Sequence, residues 1–68
     1  MPDRFILVCW YESGGIHIRT ADRRTIVEAF YNAMDAHKLG VLRLADMHIY
    51  QVSKPGVVRR AYNMQNPP

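Results

Sequence analysis

An α+β fold, ββαββ with one helix packed on a four-stranded mainly antiparallel sheet, is predicted by three features of this 68-residue chain. Asp22 to Gly40 has the apolar period of a single long helix. The two runs before it have strand character and are joined by a turn signal at Ser13-Gly14-Gly15. The two runs after it are joined at Pro55-Gly56. A β-grasp arrangement, with the last strand beside and parallel to the first, is the alternative.

The first run, Arg4 to Glu12, is continuously apolar and rich in β-formers, which marks a central strand covered on both faces. Ile16 to Ala21 alternates apolar with polar residues, as a half-exposed partner strand does. A two-residue Ser13-Gly14 loop pairs Tyr11 with Ile16, Trp10 with His17, Cys9 with Ile18 and Val8 with Arg19. A Gly14-Gly15 loop slides these pairs by two and leaves every side chain on its face. On this register Phe5, Leu7, Cys9, Tyr11, Ile16 and Ile18 make the core face, and Ile6, Val8, Trp10, His17 and Arg19 the other.

On the helix, Ala36, Ala29, Ala33, Ile26, His37, Phe30, Met34 and Val27 share one half of the wheel at 100° per residue, with the charged residues opposite. Asp22 is a natural N-cap, and Gly40 suits the left-handed conformation that ends a helix. Seventeen residues span about 25 Å, the length of a strand of seven or eight residues. A right-handed crossover through this helix sets the third strand beside the first, giving the order 2-1-3-4.

After Gly40, Ala45 and Asp46 read as a bulge or bend ahead of an alternating strand from Met47. Lys54-Pro55-Gly56-Val57 fits a type II turn, but type II twists against the strands of a tight hairpin, so a longer loop is the alternative here. On that turn Ile49 faces Tyr62 and Met47 faces Met64, while His48, Tyr50, Val52, Arg59 and Ala61 share the second face. Residues 1–64 form one domain, and 65–68, ending in two prolines, a flexible C-terminal tail.

Composition bounds the function. A chain of 68 residues buries about 60% of the surface it exposes when unfolded, so its core is thin and a partner or second copy is expected. The single Cys9 excludes an internal disulfide and fits a reducing compartment. With no long apolar run and no signal-peptide order in MPDRF, a cytoplasmic protein without a membrane partner is expected. A net charge of +3, from nine Lys and Arg against six acids, is only mildly basic.

One helix leaves the second sheet face uncovered, and on it fall the candidate partner-binding residues Trp10, His17, Arg19, His48, Tyr50 and Arg59. Trp, Tyr and Arg are enriched where interfaces hold most of their energy, so the face is expected to bind protein, either a foreign partner or a second copy. The other reading is a nucleic-acid-binding regulator, with aromatics stacking on bases and the arginines on phosphates. Arg23 and Arg24, beside the free amides of the first helical turn, form a weaker candidate anion site.

Catalysis is not expected. Cys9 and His37 could approach each other as nucleophile and base, but both occupy core positions. His17 and His48 share the predicted open face without the close spacing of metal ligands. No phosphate-cradling glycine loop and no nucleophile elbow occurs, so no metal or other cofactor is expected. The expectation is a non-enzymatic inhibitor or adaptor acting stoichiometrically through its open face or edge strand. In size and outline it resembles the broad genre of small phage and mobile-element inhibitors, anti-CRISPR proteins among them.

Overall fold

The computed structural model describes residues 3–68. Its elements are β1 (Arg4–Tyr11), β2 (Ile16–Ala21), α1 (Arg23–Lys38), β3 (Leu44–Lys54) and β4 (Val57–Asn63). The strands form one sheet in the order β2-β1-β3-β4, every neighbouring pair antiparallel. This is the predicted ββαββ fold, and β4 beside β3 rather than β1 excludes the β-grasp alternative.

Both helix ends are built as the sequence predicts. Asp22 stands in extended conformation and its side chain accepts from the Thr25 amide at 2.9 Å. At the other end Gly40 takes φ +77°, its amide donates to the His37 carbonyl, and the Val41 amide reaches back to Ala36. That pair of bonds is a Schellman closure, which needs a residue tolerant of positive φ after the helix cap.

The core lies between α1 and one face of the two central strands. Phe5, Leu7 and Cys9 of β1, Leu44, Met47 and Ile49 of β3, and Ile26 and Phe30 of α1 are buried, with Ala29, Ala33, Met34, Tyr62 and Met64 packed around them. Burying a side chain such as Phe30 or Ile26 contributes about 1.5–3 kcal/mol, and among the described residues eight hydrophobic side chains are buried.

The β1–β2 turn departs from expectation. It holds three residues, Glu12-Ser13-Gly14: the Gly14 amide donates to the Tyr11 carbonyl and the Tyr11 amide donates to the Gly15 carbonyl, both at 2.9 Å. Gly14 has φ +98°, the left-handed residue that follows a type I turn in three-residue hairpins. An odd loop shifts the register by one, pairing Trp10 with Ile16, Cys9 with His17 and Val8 with Ile18. A one-residue slip turns over every side chain of the strand. Ile16 and Ile18 therefore leave the predicted core face, and His17 and Arg19 move to the helix side.

Two irregularities shape the β3–β4 hairpin. Lys54 pairs with Val57 across Pro55-Gly56, and Ile49 pairs with Tyr62, both in the predicted register. Between them Ser53 and Ala61 are extra residues on opposite strands, so Tyr50 meets Arg60, Gln51 meets Arg59 and Val52 meets Val58. A further irregularity in β3 falls at Ala45, where a bulge is predicted: Trp10 pairs with Asp46 but Tyr11 with Leu44. After β4 the chain turns on Asn63, whose Oδ1 accepts from the Gln65 and Asn66 amides at 3.0 and 2.7 Å. The Tyr31 hydroxyl donates to the Pro68 carbonyl, which places the chain end on the helix side of the sheet.

Candidate functional site: the open face of the sheet

Alternation and register together place four rows of side chains on the face away from α1. The first row holds Ile16, Trp10 and Asp46; the second, Ile18, Val8, His48 and Asn63; the third, Thr20, Ile6, Tyr50 and Arg60; the fourth, Arg4, Val52 and Val58. Ile18 is 63% exposed, Ile16 59% and Val58 54%, while Trp10, Val8, Ile6, Tyr50 and Val52 are half-buried among one another. Among the described residues no element covers them.

Of the sequence-predicted partner-binding residues, Trp10, His48 and Tyr50 come together at the centre of this face. The Trp10 and His48 rings meet edge to face at 5.3 Å, and Tyr50 lies 6.0 Å from His48 on its other side. His17 and Arg19 do not join them, because the three-residue turn sends both to the helix side. Arg59 does not either: the Ala61 bulge places it opposite Gln51, whose Oε1 accepts from the Arg59 guanidinium at 3.3 Å. Arg60 takes its place on the open face. His17 and His48 thus lie on opposite faces and cannot share a metal. Among the described residues no group of three or more His, Cys, Asp or Glu side chains is placed to hold one.

Asp46 and His48 are two residues apart on one strand and therefore point the same way. The His48 Nε2 is 2.8 Å from the Asp46 Oδ2, and the Met47 amide donates to Oδ1 at 2.8 Å. These bonds, that from His48 foremost, hold the Asp46 carboxyl below the usual carboxylate range. Bonding through Nε2 leaves His48 Nδ1 buried without a partner among the described residues. The His48 side chain is 12% exposed and the Asp46 side chain 46%, so the carboxylate still faces solvent.

The weaker candidates are also located. Arg23 and Arg24 line a groove of about 480 Å³ with Phe5, Gln51 and Tyr62, but Asp3 and Asp22 line it too and offset the two guanidiniums. Cys9 lies in the core, where burial pushes its thiol pKa up and away from the thiolate that nucleophilic chemistry needs. His37 Nδ1 accepts from the Leu44 amide at 3.2 Å, which ties the helix end to the start of β3.

Ile16, Ile18, Thr20, Val58, Asn63, Asp46, Arg4 and Arg60 are the open-face residues that sequence reasoning missed. One signal for the two isoleucines was present: a glycine at the third loop position marks a type I turn with a left-handed third residue. None marked the Ala61 bulge that exchanges Arg59 for Arg60.

The accessible surface is 4788 Å². A folded monomer of 7.9 kDa exposes about 4,400 Å² on average, so this chain exposes about 400 Å² more than that. Compared with known protein families, curated proteins and solved structures, the chain matches none. No helix among the described residues is long and apolar enough to cross a membrane.

Proposed function

We propose that this protein is a non-enzymatic, cytoplasmic protein-binding module that acts stoichiometrically, as an inhibitor or adaptor, through the open face or an edge strand of its sheet. One observation carries the reading: the face presents Ile16, Ile18 and Val58 more than half exposed around the half-buried Trp10 and Tyr50. Apolar patches of several hundred Å² are uncommon on monomers and mark interaction sites. A fit to protein is supported by the ratio of apolar to charged groups, since eight apolar or aromatic side chains share the face with Arg4, Arg60 and Asp46.

Trp10→Ala combined with Tyr50→Ala is the test, read as loss of partner capture with the far-UV spectrum and urea midpoint nearly retained. Unfolding of the double variant would place those rings in the core and count against the reading. Arg60 opposite Tyr50, with Arg4 in the next row, favours the second reading, a nucleic-acid-binding regulator. Salt separates the two: binding through an apolar face is nearly salt-tolerant, whereas phosphate contacts lose orders of magnitude in affinity between low and moderate salt.

A further inference from the structure

The charges of the open face are ordered along its strands. Asp46 stands in the row nearest the β1–β2 turn, paired across the sheet with Trp10, whereas Arg60 and Arg4 stand in the third and fourth rows, toward the Pro55-Gly56 turn. Ile18, Val8, Ile6 and Tyr50 lie between the two ends.

A surface that is acidic at one end, basic at the other and apolar between is its own complement under one operation. A two-fold axis between two such sheets, perpendicular to their strands, reverses strand direction and lays the Asp46 end of one copy over the Arg4 and Arg60 end of the other. The second row, with Ile18 and Val8, then covers the third, with Ile6 and Thr20. A two-fold axis along the strands would instead set arginines against arginines and Asp46 against Asp46, an arrangement like charges oppose.

We infer that the occupant of the open face is a second copy of this chain, stacked with antiparallel strands so that Asp46 of each copy meets Arg4 and Arg60 of the other. The inference rests on the reading of this face as a protein-binding surface and names its partner. Aligned sheets pack about 10 Å apart with strands within about 30° of each other, a gap the side chains of both faces fill. Four strands about 4.8 Å apart and four rows long give a footprint of about 400 Å² per copy, the weak end of specific interfaces. The dimer is therefore weak and dissociates on dilution. It leaves the outer edges of β2 and β4 free for other partners.

Light scattering and sedimentation of the full chain over a dilution series give the test. The expected mass is twice the 7.9 kDa chain at the concentrated end, falling toward one chain on dilution. Ile18→Asp, at a 63% exposed edge position, weakens association about tenfold or more with the urea midpoint nearly unchanged. Asp46→Lys alone and Arg4→Glu with Arg60→Glu alone are each monomeric, and mixing the two variants restores the doubled mass, since one contact is then made with reversed charge and the other as in the parent chain. If Asp46→Lys does not fold, the arginine variant and Ile18→Asp decide by themselves.

A dimer indifferent to Ile18→Asp and to the arginine changes overturns the inference. A chain that stays monomeric at every concentration also overturns it; if Ile18→Asp then abolishes capture of a foreign protein, the binding reading survives. Monomeric behaviour together with capture unaffected by Ile18→Asp removes both.

Discussion

Ile18 decides between the two registers that the β1–β2 hairpin could adopt. On a two-residue loop it lies under the helix opposite Cys9; on the observed three-residue loop it lies opposite Val8 on the open face and is 63% exposed. Full burial of an isoleucine contributes about 1.5–3 kcal/mol, so the third that is covered contributes about 0.5–1 kcal/mol. Ile18→Thr keeps the β-branch that strands favour and should cost less than about 1 kcal/mol. Leu7→Ala, at a position 3% exposed, should cost about 2–5 kcal/mol. For a domain of this size 1 kcal/mol corresponds to about 7 °C in Tm, so the two variants should differ by at least about 7 °C. Urea and thermal unfolding of dilute protein followed by circular dichroism would measure both. A cost for Ile18→Thr comparable to that of Leu7→Ala would refute the register and, with it, the composition of the open face.

Other outcomes follow from the same geometry. Gly14→Ala, forced into φ +98°, should cost about 1 kcal/mol, with Gly14→Asn milder, both read from urea midpoints. Hydrogen bonds hold the Asp22 and Asp46 carboxyls below their ordinary range, led by those from Thr25 and His48 respectively. The unfolded chain then takes up protons first, so this stabilisation is complete above the ordinary carboxylate pKa of about 4 and is lost as pH falls through the lower folded values. Stability measured from pH 7 to pH 3 should therefore decline less steeply for Asp22→Asn with Asp46→Asn than for the parent, and parallel profiles would refute the assignment. Cys9, 3% exposed with its thiol pKa raised by burial, should react with a disulfide reagent far more slowly in buffer than in urea. Equal rates would show that the thiol is accessible.

The candidate site was half legible in the sequence. Trp10, His48 and Tyr50 were recoverable because β1 and β3 are central strands whose alternate residues pack under the helix, so hydrophobic pattern alone assigns their faces. His17, Arg19 and Arg59 were misplaced because they belong to the two edge strands, where that constraint is weak. A helix is about 10 Å across and four strands about 19 Å, so α1 shelters the two central strands and leaves β2 nearly bare. Every residue of β2 except Ala21 is exposed. With so little apolar area at stake, burying Ile16 and Ile18 could not overrule the turn, and the backbone preference of Glu12-Ser13-Gly14 set the register.

What the sequence by itself determined is therefore the order of elements, both helix caps, the central place of β1 and, beneath the helix, Phe5, Leu7 and Cys9 of β1 with Met47 and Ile49 of β3: the signals are local bonds or the period of strands buried on that face. Only the tertiary structure decided which residues of β2 and β4 join the open face. That depends on whether a loop holds an even or odd number of residues and where a strand carries an extra one. Either choice satisfies the alternation of a strand that the core barely touches, and the free energy separating them lies in turn and bulge geometry rather than in hydrophobic pattern.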